Sequence, residues 1–135
     1  IVITRGGIRL LMLQPLHVRD GVARLSVVVD QPRLILHGAK SLSYAGNMLA
    51  GRLARESGGT DALLVTPEGL VLESQTASFF WVDEGGTLVT PPLSDGILDS
   101  VNRRVILEAM DVDERSSLVA DVLACREAFL PVSCR

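Results

Sequence analysis

Lysine is almost missing from this sequence of 135 residues. Of its 13 lysines and arginines, Lys40 is the only lysine. A coding bias toward arginine accounts for the other positions and turns attention to the one exception. Arginine stays protonated and cannot form an imine, whereas a desolvated lysine can. Other absences narrow the function classes. No apolar run approaches the roughly 18 residues of a membrane span, and Leu25 to Val29 is already interrupted by Ser26. No basic segment followed by an apolar stretch opens the chain, so no signal peptide is visible. Net charge is −3 and no basic face stands out, which excludes nucleic acid as the expected partner. Only two cysteines are present, Cys125 and Cys134, with neither metal-ligand spacing nor a disulfide framework. His17 and His37 lie far apart with no acidic or cysteine cluster near them, so no metal site is expected. Free thiols make a cytoplasmic protein the default.

What is present suits one folded domain. Hydrophobic residues make up 47% and charged residues 21%, enough apolar surface for a buried core. Residues 2–5 read as a strand ended by Gly6-Gly7, residues 24–30 as a β-branched alternating strand, and residues 33–37 as a third. A helix is predicted over 44–57, with Met48, Leu49 and Leu53 at helical spacing. Ala45, Gly46, Ala50, Gly51 and Ala54 give it a small-residue face for close packing, and Gly58-Gly59 stop it. Two hairpins follow, 61–65 with 70–73 around Thr66-Pro67-Glu68-Gly69, and 78–82 with 87–89 around Asp83-Glu84-Gly85-Gly86. Ser100 is a natural N-cap for a helix reaching about Met110. A strand over 114–119, a short helix over 120–126 and a strand over 128–132 complete an α+β pattern. Arg103-Arg104 reads as one packing and one solvated arginine, and Phe79-Phe80-Trp81 as core strand.

An ordered set of motifs carries more information than any one of them. Lys40-Ser41-Leu42-Ser43-Tyr44 enters the first helix, and Gly69-Leu70-Val71-Leu72-Glu73 follows, with Glu73 thirty-three residues after Lys40. Then come Ser78-Phe79-Phe80, Thr90-Pro91, the helix start Leu98-Asp99-Ser100-Val101-Asn102-Arg103, and Cys125-Arg126-Glu127-Ala128-Phe129. In this order the set resembles the class IV aminotransferases, a family of fold type IV pyridoxal-phosphate enzymes that includes branched-chain aminotransferases and 4-amino-4-deoxychorismate lyases. Four positions depart from the family pattern. Ser43 and Ser78 stand where asparagine is usual, and Ser100 and Asn102 stand for glycine and threonine.

The resemblance implies a pseudo-barrel of strands with packed helices, the core of the C-terminal large domain. It implies that residues 1–135 are this cofactor-binding domain, incomplete at both ends and without the N-terminal small domain. The cofactor implied is pyridoxal 5′-phosphate, and Lys40 is its Schiff-base lysine and the proton shuttle. Glu73 is the implied partner of the pyridine nitrogen, keeping it protonated so that the ring accepts carbanion charge. Val101 and Asn102 are placed in the helix turn that holds the phosphate. Ser78 adds a polar contact, and Ser133 and Cys134 match a second phosphate-contacting segment. Tyr44 is either a hydrogen-bond donor to the phenolic oxygen or a core aromatic.

For activity, the resemblance leaves three readings. One is an aminotransferase moving an amino group between an amino acid, of branched-chain type, and a 2-oxo acid. Another is a lyase releasing pyruvate and 4-aminobenzoate, which needs the same lysine and glutamate. The third is a catalytically silent homologue that serves as a dimerisation or ligand-binding module. A homodimer is implied for the family. Arg9-Leu10-Leu11 lacks the histidine of the Arg-x-His carboxylate trap, which points away from the D-amino-acid members.

Overall fold

The computed structural model describes residues 2–13, 21–30, 38–40 and 43–131. The predicted strand over 33–37 lies outside them. Two two-residue strands, β1 (Val2–Ile3) and β2 (Arg9–Leu10), pair antiparallel across a turn in which Gly7 takes φ 83°. The next unit is a β-α-β crossover. Strand β3 (Leu25–Val29) lies parallel to β4 (Asp61–Val65) in a register running from Leu25↔Asp61 to Val29↔Val65. Helix α1 (Ala45–Glu56) connects them and packs on both. Strand β5 (Val71–Ser74) returns antiparallel along the other edge of β4.

Of the small-residue face predicted for α1, the later part is buried, while Ala45 and Gly46 in the first turn are exposed. Ala50, Gly51 and Ala54 are inside, whereas Met48, Leu49 and Leu53 stay exposed. Short side chains let the helix axis come close to the sheet, and the longer apolar residues are left on its flanks. Gly58, at φ 85°, ends the helix, and the Gly59 N–H donates to the Ala54 carbonyl at 2.8 Å. A Cβ on Gly59 would meet the Arg24 carbonyl at 3.0 Å and the Ser26 nitrogen at 3.1 Å. That position is closed to side chains by the neighbouring strand.

A second sheet has the order β8-β7-β6-β9. It holds β6 (Phe80–Val82), β7 (Leu88–Thr90), β8 (Asp113–Glu114) and β9 (Glu127–Phe129). Between β7 and β8 run a 3₁₀ turn (Leu93–Asp95) and helix α2 (Val101–Ala109). Both predicted hairpins are present, and Gly69 and Gly86 hold the left-handed turn positions at φ 86° and 90°. The strand predicted over 114–119 is only β8. After Arg115, whose N–H still donates to the Thr90 carbonyl at 3.1 Å, the chain leaves β7 and crosses to the first sheet, where the Ser117 carbonyl accepts the Val71 N–H at 2.9 Å and Leu118 bridges Leu70. Helix α3 (Val119–Leu123) follows.

Strand β4 is buried on both faces, which explains the apolar run from Ala62 to Val65 after Asp61. Leu63 and Val65 join Val71, Phe79, Trp81 and Val89 in a cluster spanning both sheets. Ala62 and Leu64 point the other way, into a cluster with Ala50, Ala54, Leu72 and Ile97. Phe79 stacks on Trp81 at 5.6 Å and Phe80 on Phe129 at 5.4 Å, so the aromatic run is core strand. Arg103 is the packing arginine: its guanidinium is buried, donates to the Pro91 carbonyl at 3.0 Å and pairs with Glu114. Arg104 is solvated beside Asp99. No helix among the described residues is long and apolar enough to cross a membrane.

Candidate functional site

A cavity of about 810 Å³ lies between the β3–α1 crossover and the start of α2. Its lining gathers Lys40, Tyr44, Glu73, Ser78, Val101 and Asn102, which come from three separate stretches of the chain. Ser133 and Cys134 lie outside the described residues, and Pro131, just before them, also faces the cavity.

Each residue arrives for a local reason. Lys40 follows Gly38, whose φ of 68° turns the chain toward α1, and its side chain is exposed to the cavity. Tyr44 is the half-buried residue before α1, and its carbonyl accepts the Met48 N–H at 3.0 Å. Glu73 sits near the end of β5, between Leu72 and Ser74. Apolar surroundings desolvate its carboxyl and push its pKa up to about 7. The Leu98 N–H, donating to Oε1 at 3.3 Å, and the charges of Lys40 and Arg103 oppose that rise. The charge of Lys40 therefore acts on the carboxyl across the cavity.

At the other end, α2 begins with Val101 and Asn102. The first N–H groups of a helix have no acceptor inside it, and together with the helix dipole they make an anion-binding end. Ser100 caps the helix by accepting the Arg103 N–H at 3.1 Å, and its hydroxyl meets that of Ser78 at 2.8 Å. The Asn102 carboxamide donates to the Pro131 carbonyl at 3.2 Å, tying the helix start to the segment after β9. A third wall is apolar, made of Val28, Leu49, Leu53 and Leu64. Leu49 and Leu53 read as ordinary core positions in the sequence, yet they line the cavity.

Gln75 and Asn47 also line it, and sequence reasoning missed both. A glutamine in a serine- and threonine-rich turn carries no signal of its own. Its importance depends on Asp61 and Ala62, more than a dozen residues upstream, and on a helix that nothing local connects to it.

Comparison with known proteins places this geometry in a context. The model of the amino-transferase class IV family matches residues 9–133. A bifunctional aminodeoxychorismate lyase / D-amino acid transaminase of Mycobacterium tuberculosis is 31% identical, the match covering 83% of this chain and 45% of that protein. The mitochondrial branched-chain-amino-acid aminotransferase 1 of Arabidopsis thaliana is 32% identical, covering 82% of this chain and 32% of that protein. Among solved structures, the branched-chain amino acid aminotransferase of Thermobaculum terrenum in its PLP form superposes with a TM-score of 0.72 at 28% identity. That match covers 83% of this chain and 39% of the other. The chain thus spans less than half the length of the relatives it matches.

Proposed function

Because this chain belongs to the class IV aminotransferase family, whose members depend on pyridoxal phosphate, we propose that it forms the cofactor-binding large domain of an aminotransferase. In this reading it transfers an amino group between an amino acid, of branched-chain type, and a 2-oxo acid. The observation that carries the proposal is the convergence of Lys40 and Glu73 on one cavity.

The residues present fit the cofactor. Pyridoxal phosphate needs an amine for its aldehyde, an acid for its pyridine nitrogen and donors for its phosphate. The cavity offers Lys40, Glu73, and the α2 start with the Ser78 and Ser100 hydroxyls beside it. Burying a lone carboxyl is costly unless a partner compensates it, and a basic ring nitrogen is such a partner. When bound, the cofactor supplies an electron sink for carbanion charge at the substrate Cα.

The chain's own groups do the rest. The Lys40 amine would hold the cofactor aldehyde and would move a proton to and from the substrate Cα. Glu73, its pKa raised to about 7 by burial, is poised near neutral pH and as a carboxylate would keep the ring nitrogen protonated. Val101 and Asn102 hold the phosphate through the helix start, with Ser78 beside them. Tyr44 lies near the lysine end and serves as a donor to the phenolic oxygen. The apolar wall of Val28, Leu49, Leu53 and Leu64 favours an apolar substrate side chain over a charged one. The same reading makes the working protein a cytoplasmic homodimer, and the greater length of the relatives supports a larger whole.

A second reading keeps the same residues and changes the outcome. The similarity to an enzyme named for both lyase and transaminase activity supports a 4-amino-4-deoxychorismate lyase. Pyruvate released from that substrate with no 2-oxo acid acceptor would select the lyase.

Borohydride reduction of the full-length protein with pyridoxal phosphate, followed by peptide mass mapping, tests both. Lys40 is the only lysine of this chain, so a side-chain label mapped to a peptide of these 135 residues has one possible place. We expect a phosphopyridoxyl mass on Lys40 that disappears in Lys40→Ala. A folded protein with no adduct would overturn the enzyme reading and leave a silent homologue.

A further inference from the structure

We infer that Gln75 is a positioning residue that locks the three segments of the cofactor cavity to one another, so that a Gln75–Asp61–Asn47 network sets where Glu73 and Ser78 stand relative to Lys40. The inference rests on the pyridoxal-phosphate reading above.

Strand β5 pairs with β4 only as far as Ser74↔Leu63. Beyond it the chain turns out of the sheet, with the Ser74 N–H donating to the Ala77 carbonyl at 2.8 Å. That turn delivers Ser78 to the cavity, but it leaves the edge of β4 at Asp61 and Ala62 without a facing strand. The Gln75 carboxamide takes the place of the missing peptide. Its Oε1 accepts the Ala62 N–H at 2.6 Å and the Ser74 hydroxyl at 3.0 Å, and its Nε2 donates to Asp61 Oδ1 at 2.9 Å.

All of this is buried: Gln75 is 7% exposed, Asp61 4% and Ser74 2%. Buried polar groups left unpaired are expensive, so the network holds one geometry. Only glutamine fits the role. Asparagine is a methylene too short, and glutamate would set a second carboxylate against Asp61 and lose the donor.

The lock also reaches α1. The Gln75 backbone carbonyl accepts from Asn47 Nδ2 at 2.7 Å. A Cβ on Gly51 would lie 3.6 Å from both Cγ and Nε2 of Gln75, so the helix rests directly on this side chain. Helix α1 begins five residues after Lys40. One residue thereby joins the element that follows the lysine, the strand that carries the acid and the turn that carries the phosphate-side hydroxyl.

The test uses the full-length protein and three variants: Gln75→Leu, Gln75→Glu, and the exchange Gln75→Glu with Asp61→Asn. The exchange reverses the polarity of the carboxamide–carboxylate pair and keeps an acceptor for the Ala62 N–H. Two quantities are read, the Kd for pyridoxal phosphate by absorbance titration and the ligand-free thermal midpoint. Gln75→Leu and Gln75→Glu should each weaken cofactor binding by about tenfold or more, the scale set by a buried unpaired group and a misplaced site. The exchange should bring the Kd back to within about threefold of the starting protein. A Kd unchanged in a folded Gln75→Leu protein would overturn the inference. So would an exchange variant that recovers the thermal midpoint but not the Kd, which remains readable even if Gln75→Leu fails to fold. Absence of binding by the unsubstituted protein is a separate result that removes the cofactor reading, and this inference with it.

Discussion

The hydroxyls of Ser78 and Ser100 meet at 2.8 Å, joining the turn after β5 to the first residue of the α2 cap. Ser100 also accepts the Arg103 N–H, so one side chain serves both the helix and the neighbouring turn. The first two N–H groups of the helix, those of Val101 and Asn102, are left for another acceptor. Ser100→Ala should cost about 1 kcal/mol of stability and Ser100→Gly only a few tenths. Denaturant midpoints at fixed pH read the difference. Equal losses for both substitutions would show that Ser100 does not act as a cap.

Glu73 makes stability depend on pH in an unusual direction. Its folded pKa, about 7, lies above the ordinary carboxylate value of 4.5. The folded state therefore binds the extra proton. The stability this contributes is fully present below about pH 4.5 and is lost as pH rises through 7. Glu73→Gln keeps an acceptor for the Leu98 N–H and removes the charge. It should stabilise the ligand-free protein at pH 8 by up to roughly 3 kcal/mol, with the gain fading toward pH 5. Cofactor affinity should fall in the same variant. A stability difference that is flat from pH 5 to 8 would mean that Glu73 is not held in a desolvated setting.

Arg103 and Glu114 form a pair with unequal partners, since the arginine side chain is 2% exposed and the glutamate 43%. Arg103→Ala empties a buried site and releases the Pro91 carbonyl, so a loss of about 3 kcal/mol or more is expected. Glu114→Gln keeps an acceptor and solvent screens its charge, so the loss should stay near about 1 kcal/mol. Arg103→Lys should not rescue, because an ammonium cannot serve both acceptors with the same fork. Thermal melts of the three variants give the ranking, and a lysine as good as arginine would contradict it.

Gly59→Ala probes the contact between the end of α1 and the approach to β3. A Cβ there would sit 3.0 Å from the Arg24 carbonyl, a backbone atom that cannot swing aside. The expected loss is about 1–3 kcal/mol. Gly58→Ala meets no neighbour, and strain arises only from its φ of 85°. It should cost about 1 kcal/mol. Urea titrations of the two variants separate crowding from backbone strain.

Local chemistry made much of the fold legible. Thr66-Pro67-Glu68-Gly69 and Asp83-Glu84-Gly85-Gly86 specify their turns by residue type, and Ser100 specifies its cap. The cavity could be anticipated as well, because Lys40, Glu73, Ser78, Val101 and Asn102 occur in a recognisable order and the structure brings them together. What escaped was relational. Leu49 and Leu53 sit at core spacing but line the cavity, since Ala50, Gly51 and Ala54 take the sheet-facing side. The strand expected over 114–119 stops early, because Ser117 gives its carbonyl to Val71 in the other sheet and ends the ladder with β7. Gln75 matters only through partners distant in sequence. Periodicity reports which residues want burial, and it is silent on which neighbour will cover them.

The cavity has one wall from the β3–α1–β4 crossover and another from the turn after β5 and the start of α2. Neither unit contains the whole site. The crossover closes over a modest chain separation, while β9 must return to β6 across some forty-five residues before the segment at Pro131 arrives. A pyridoxal phosphate molecule can be gripped only after both units have docked, so its capture reports the last stage of assembly rather than the first. Cofactor added during refolding should therefore leave the early phases unchanged and slow unfolding, acting as a latch on a finished structure.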